Sequence, residues 1–466
     1  MKNEMKPSIL LLSLSLAVIP VTAQAAADRP AEEVAGRIAY ISGAMVAQRA
    51  DGTVKVLAPK SEVYAGDMLI TAKDSYAQVK MNDGMQMTLR PNSNLRIESF
   101  QFRQDAPQSD NAVMRLLKGG FRTLTGLIGK RGNPDAYKLR AATATIGIRG
   151  TDFSTRLCVT RDCKDEDAVT AKPAIKPQQS QVIGRVMLVQ GELSAKDEAG
   201  KERKLILGAT VYEGDTLITG GKAYAVVAFR DEGRVSLQEN TRFYVEKFKY
   251  DRVAVKENAV LRLLKGGVRV VTGLIGRVNR DNYQFKVATA TIGIRGTGFD
   301  AWCNGPCAAA SANPGATQEN PLDGAGVYVW AGEVVLVSPG GSFIVAIQQA
   351  AILARDSGKP VRVIAIPPAI TNNDTPRPDG IPVDMEKLFG TDANAGEPGL
   401  YVTVHDGQVI LAQGVNILNL GRTETGFTNE FLLKRLATTP EFMGGDDQID
   451  LESRGKMGPN GCMIGP

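Results

Sequence analysis

Residues 142–151 read ATATIGIRGT, and residues 288–297 read the same ten letters. A run this long repeated in one chain is a duplication, and it sets the scale of the fold. The likeness extends upstream. Residues 115–130 read RLLKGGFRTLTGLIGK and residues 262–277 read RLLKGGVRVVTGLIGR, alike at 12 of 16 positions. Further back, Gly36, Gly43 and Gly66-Asp67 match Gly184, Gly191 and Gly214-Asp215, each 148 residues on. That offset falls to 146 by Thr143 and Thr289, so only small loop deletions separate the copies. A close cysteine pair ends each copy, Cys158 and Cys163 in the first, Cys303 and Cys307 in the second. The repeating units span residues 34–163 and, with the hairpin that follows it, 182–352.

Each unit reads as strands. Ala77, Val79 and Met81 alternate with Gln78 and Lys80, and Asn82-Asp83-Gly84 supplies a turn. Met85, Met87 and Leu89 resume the alternation, Pro91-Asn92-Ser93 turns again, and Leu95 and Ile97 continue it. A period of two with one polar face marks half-buried strands. Copy two repeats the pattern with Ala225, Val227 and Phe229, Asp231-Glu232-Gly233, then Val235 and Leu237. The spacing predicts an all-β fold: two similar units of short antiparallel strands forming a sandwich, a roll or a short solenoid. Residues 113–117 read as strand or loop, because Gly119-Gly120 would end a helix at once.

Beyond copy two come two hairpins, at 327–347 and 401–420, in which Gly332 and Gly407 correspond. Proline-rich residues 355–399 read as an irregular linker. Residues 400–427 hold the second hairpin. Within 428–466, residues 428–437 read as a short helix with Thr428 as N-cap and Pro440 beyond its end, and 444–466 as a disordered tail. Both hairpins lie C-terminal to both copies. A nested arrangement is favoured: the first completes copy two and the second returns to cover the open edge of copy one, since unpaired edges are a liability. The serial alternative stacks both on copy two. The packing of Val402, Val404 and Val409 decides.

Composition narrows the function. Of 466 residues, 55 are basic and 50 acidic, too balanced for a nucleic-acid binder. His405 is the one histidine, beside the Asp406-Gly407 turn, so a catalytic base with an acid and a nucleophile is not expected. The expectation is a protein that is not an enzyme and needs no cofactor or metal. The glycine runs at 119–130 and 266–277 lack the Gly-Lys-Ser/Thr ending of a phosphate loop; Arg131 and Val278 stand where the hydroxyl would be. Asp446, Asp447, Asp450 and Glu452 lack the spacing of a calcium loop.

At the N-terminus, Lys2 and Lys6 precede an apolar run over residues 9–21, followed by Ala23-Gln24-Ala25. Thirteen apolar residues are short for a membrane span, and small-x-small suits a signal peptidase site, so residues 1–25 read as a cleavable signal peptide. An uncleaved anchor is the alternative. A periplasmic mature chain with no membrane span follows. In that compartment the two cysteine pairs read as local disulfides; a four-cysteine zinc site is the alternative that spacing leaves open. Cys462 is left over.

The opening Gly36-Arg37-Ile38, then Gly66-Asp67, Asp83-Gly84, Gly119-Gly120 and the closing TATIGIRGT-x-F, at 143–153 and again at 289–299, resemble the FecR domain family. The resemblance covers most of residues 34–350 and again 400–427. Its best-known members are inner-membrane regulators that act on a sigma factor through a cytoplasmic N-terminal segment. With some eight residues before the apolar run, this chain resembles instead the exported, stand-alone members, for which a binding or scaffold role is implied. The partner would be an envelope protein or glycan; an anti-sigma signalling role is the alternative. Arg115, Lys118 and Arg122 recur as Arg262, Lys265 and Arg269, and alternation would put Lys118 and Arg122 on one face. Such a cluster is a candidate site for an anion or an acidic partner, against the plainer reading of a solvated strand edge. Arg149 and Arg295 are expected to satisfy turn carbonyls, and Asp152 to be within reach of Arg149. N-terminal sequencing of the protein from the periplasmic fraction is expected to begin at Ala26 or Asp28; Met1 recovered in the membrane fraction would contradict the cleavage.

Overall fold

The computed structural model of the chain describes residues 33–444 except 132, 134, 142–143, 161–162, 164–180, 251–256, 289, 308–323, 339–340, 354–359, 364 and 392–395. Residues 1–32 and the tail from 445 lie outside the described residues. Alternation decides which side of each strand is buried. In Tyr76–Met81, Ala77, Val79 and Met81 face inward, and the antiparallel strand Gln86–Leu89 sets Met87 opposite Val79. Between them Gly84 takes a positive φ of 84°, which the turn requires and a side chain would resist.

The strands form two separate 15-stranded sheets, each curled around its own apolar core. The first sheet takes its strands from Val34–Ser42 through Ala144–Cys158, and then from Gly399–Gln413 onward. The second runs from Gly184–Gln190 to Pro360–Val363. Copy two is therefore inserted within copy one. The returning strand Gly399–Gln413 pairs antiparallel with Ala144–Cys158 along its length, from Thr145 opposite Ala412 to Cys158 opposite Gly399. Val402, Val404 and Val409 are buried in the first core. In copy two, Gly324–Ser338 closes on Ala290–Asn304 with the same register and with breaks at the equivalent places. The repeated ATATIGIRGT thus begins the strand that each closing hairpin covers.

The paired neighbour of Ala144–Cys158 on its other side, Asn111–Leu124, bends. Residues 111–118 of Asn111–Leu124 pair with Asn94–Gln101 and, in parallel, with Tyr137–Ala141. Residues 119–124 pair instead with Gln86–Leu89 and Ala144–Cys158. Met114 and Leu116 face the core before the bend, and Phe121 and Thr123 after it, so the alternation slips by one across Gly119-Gly120. Gly119 has a φ of 72°, and a Cβ there would meet the Ser93 Cα at 2.7 Å. Only glycine fits, and Gly266 repeats the arrangement against Thr241.

Two expectations are corrected. Residues 428–437 form no helix: Thr425–Thr428 and Leu433–Leu436 are paired strands that extend the sheet beyond Gly399–Gln413. Asn429 makes the turn between them, its side-chain oxygen accepting the N–H groups of Phe431 and Leu432 at 2.9 Å. An available strand edge outweighs weak local helix preference. Residues 355–399 are also more than a linker. They hold the strand Pro360–Val363, the short helices Pro368–Thr371 and Met385–Phe389, and a 3-10 turn at Pro378–Gly380. Asp384 caps the second helix by accepting the Lys387 N–H at 3.0 Å.

The two sheets are tied at Glu424. Its side chain is fully buried between Arg185 of copy two and Arg435 of the returning segment. Arg185 also donates to the carbonyls of Leu388 at 2.7 Å and Gly208 at 2.8 Å, and Arg435 to those of Leu388 at 2.7 Å and Asn419 at 2.6 Å. Burial alone would raise the Glu424 carboxyl, but the two guanidiniums hold it below its ordinary value. Glu424→Gln leaves two buried cations without their anion and is expected to cost about 3–5 kcal/mol, read as a lowered urea midpoint. A change under about 1 kcal/mol would show that water reaches the cluster.

Candidate functional site

The Ala144–Cys158 strand lies between Asn111–Leu124 and Gly399–Gln413, and its outward face gathers polar side chains from all three. Arg122 makes a forked pair with Asp152, Nε to Oδ1 at 2.9 Å and Nη2 to Oδ2 at 2.6 Å. Two residues on, Ser154 Oγ lies 2.8 Å from His405 Nε2. At the far end Arg156 donates to the Phe442 carbonyl at 2.7 Å and lies over the Phe442 ring.

Copy two builds the same face from equivalent positions with different side chains. The registers match Ser154 to Asp300, Asp152 to Gly298, Arg156 to Trp302 and His405 to Trp330. Arg269, the counterpart of Arg122, meets Asp300 at 3.5 Å. The carboxylate has moved two residues along the strand, which keeps it on the same face. The vacated position is glycine for a physical reason: a Cβ on Gly298 would fall 2.2 Å from the Trp330 ring. Trp330 Nε1 donates to Asp300 Oδ1 at 3.0 Å.

The proline-rich segment covers this second face. Arg269 donates to the carbonyls of Thr375 at 2.6 Å and Ile370 at 2.8 Å. Arg234, on the neighbouring strand, donates to those of Pro378 at 3.0 Å and Ile381 at 2.8 Å. The Arg377 guanidinium stacks 3.8 Å from the centre of the Trp330 ring, and Ile370 is buried with Trp302 and Ala350. Four main-chain carbonyls, one apolar anchor and one cation–π stack hold the segment, a grip that reads backbone more than side chains.

The predicted basic residues are not gathered into one patch. Arg115 pairs with Glu98, which also takes Arg140 at 3.0 Å. Arg262 and Lys286 share Glu246 in the same way, at 2.8 and 2.9 Å. Lys118 and Lys265 are exposed at the glycine bend, whose phase slip separates them from Arg122 and Arg269. Asp152 pairs with Arg122. The side chains of Arg149 and Arg295 lie outside the described set, as do Asp446, Asp447, Asp450, Glu452 and Cys462. Cys158–Cys163 and Cys303–Cys307 are at disulfide distance, with Cα separations of 5.1 and 5.3 Å. The two pairs belong to different cores.

Reading the sequence missed Asp300, Trp330, Arg234 and Arg377. A signal existed for Trp330: matching Gly332 to Gly407 places it opposite His405. None existed for Arg377, which reaches the site only through the path of the chain.

The FecR protein family model matches residues 67–172 and 215–314. No curated protein matches the chain. Two crystal structures of a "putative anti-sigma factor" from Parabacteroides distasonis ATCC 8503 are similar at 14% and 16% identity, each with a TM-score of 0.23. The matches cover 32% and 31% of this chain, which spans 58% and 57% of the length of those chains.

Burial pushes the Asp300 carboxyl up to about 6, with Arg269 and the Trp330 N–H pulling the other way. A carboxyl raised on folding stabilises most below its unfolded value, and that contribution is lost as pH rises through about 6. Asp300→Asn keeps the acceptor for Trp330 but does not titrate. From pH 4 to pH 7.5, unfolding free energies are expected to shift by about 2 kcal/mol in favour of the variant. Parallel pH profiles would count against the buried carboxyl.

Proposed function

We propose, for a chain that carries two FecR domains with the second inserted in the first, a non-enzymatic binding or scaffold role in the periplasm. One observation carries the proposal. The outward face of the second domain holds a stretch of polypeptide by its main-chain carbonyls, with Arg234 and Arg269 as donors and Trp330 as a stacking platform. That is binding chemistry, and no bond needs to be broken for it. The histidine belongs to the corresponding face of the first domain, hydrogen-bonded to Ser154. The charged N-terminal stretch, the apolar run at 9–21 and Ala23-Gln24-Ala25 support export, and the close cysteine pairs suit an oxidising compartment. Insertion gives such a protein two similar faces on one frame, joined through Glu424 rather than by a free linker.

The test is fractionation with crosslinking in intact cells. The mature chain is expected in the osmotic-shock fraction, joined reproducibly to an envelope protein or glycan that mass spectrometry identifies. A chain confined to the cytoplasm, or crosslinks that fall only within the chain itself, would overturn the proposal. Retention of Met1 at the inner membrane together with capture of a sigma factor would favour the signalling alternative.

A further inference from the structure

The two domains meet at a cleft of about 230 Å3. One wall is formed by residues 406–408 and Arg422 of the first domain, the other by residues 197–215 of the second. The turn that carries Arg422 is fixed at three places. The Gly421 N–H donates to the Glu424 carboxylate at 2.9 Å, the Arg422 N–H to the Tyr212 hydroxyl at 2.8 Å and the Thr423 N–H to the Val404 carbonyl at 2.7 Å. The Arg422 guanidinium lies over the Tyr212 ring, 4.8 Å from its centre. It makes no hydrogen bond or ion pair among the described residues, although its Nε is closed off from solvent. Arg203 also lies against that ring, but it is committed to Asp215 in a forked pair. Lys201, Lys204 and Asp406 are exposed on the cleft walls, and Glu213 gives one oxygen to the Phe248 N–H at 2.9 Å.

The repeat itself demands none of these charges. The first domain has Thr53, Val56 and Ala65 where the second, 148 residues on, has Lys201, Lys204 and Glu213. The second domain repeats the turn of Arg422: the Gln348 N–H donates to the Val329 carbonyl at 2.7 Å, and Gln348 has the same φ of 61° as Thr423. There Ile347 takes the place of Arg422, and Ala331 that of Asp406. The fold accepts a neutral residue at all five positions, so the charged set belongs to the cleft. We propose that this cleft binds a small zwitterion, an amino acid or dipeptide with a free carboxylate, a free ammonium and a short aliphatic group. Each wall carries both signs, Arg422 and Asp406 on one, Lys201, Lys204 and Glu213 on the other. A ligand of a single charge would be repelled by part of either wall. Arg422, held in place by its turn and by the Tyr212 ring, offers a carboxylate a preset fork of donors. Asp406 offers the ammonium its counter-charge, and buried Leu205 and half-exposed Ile206 give the aliphatic group apolar surface. A cavity of ~150 Å3 already admits benzene, so the cleft is large enough for a ligand of this size. Such a site goes beyond the envelope-binding role proposed above and does not depend on it.

The experiment is calorimetric titration of the purified protein with three probes: glycyl-L-leucine, its N-acetyl form, which lacks the ammonium, and its C-terminal amide, which lacks the carboxylate. Glycyl-L-leucine is expected to bind saturably at one site per chain, and each modified probe at least ~10-fold more weakly. Arg422→Ile and Asp406→Ala install the residues found at the equivalent positions of the second domain, so both are expected to fold, which circular dichroism establishes. Each is expected to weaken glycyl-L-leucine at least ~10-fold. Arg422→Ile should leave the amide probe unchanged and Asp406→Ala the N-acetyl probe, because the charge each would have met is already gone. Should Arg422→Ile fail to fold, Lys204→Val on the exposed edge strand serves in its place, with the same pattern expected. Lys118→Ala at the glycine bend is the unaffected control. Absence of glycyl-L-leucine binding at millimolar concentration would overturn the proposal. Equal binding of the N-acetyl probe would overturn it as well, leaving a site for anions alone. So would binding unchanged in both Arg422→Ile and Asp406→Ala, since the ligand would then lie elsewhere.

Discussion

The carboxylate of Glu424, closed off from water between two arginines, is the constraint on which the arrangement of the domains depends. A lone carboxylate in that position would be far more costly than its hydrogen bonds repay, and two guanidiniums without it would be worse. The cluster therefore forms whole or not at all. Arg185 comes from the first strand of the inserted domain, Glu424 from the turn after the returning hairpin, and Arg435 from the last strand. Two parts of the chain 239 residues apart in sequence meet on one charge. The surrounding carbonyls of Leu388, Gly208 and Asn419 absorb the remaining N–H donors, which makes the insertion a fixed joint.

Around that joint, nearly identical sequence serves two surfaces. Phe121 and Phe153 in one core and Val268 and Phe299 in the other occupy equivalent inward positions and do equivalent work. Divergence is concentrated on the outward face. Moving an acid by two residues, from Asp152 to Asp300, keeps it beside the arginine while freeing position 298 for glycine. The glycine in turn admits the Trp330 ring, and the ring takes Arg377. Each change depends on the one before it, so the covered face of the second domain is a linked set rather than a collection of independent contacts.

The basic triplets show how local pattern misleads. Period-two reasoning puts Lys118 and Arg122 together, and it holds wherever a strand is regular. Gly119 breaks the regularity. Its left-handed backbone turns the strand from one set of neighbours to another, and the two halves count from different phases. The glycines were legible in the sequence; the direction of the bend was not. The helix expected at 428–437 failed for a related reason. Its capping signals were real but weak, and a free strand edge lay within reach.

Duplication, strand content, turns and the close cysteine pairs were all written locally, in identities, alternation and spacing, because each depends on residues within a few positions of one another. Nesting was half legible: two hairpins lay downstream of both copies, and copy one had an edge to cover. What only the tertiary structure decided was which side chains share a face across strands, as Arg122, Asp152 and His405 do, and which segment lies on top, as residues 370–381 do on Arg269 and Trp330. Contacts between residues more than a hundred positions apart depend on register and on the path of the connecting chain. Neither leaves a periodic mark in the sequence, because the energy that fixes them is the burial and pairing of groups that meet only after both domains have closed.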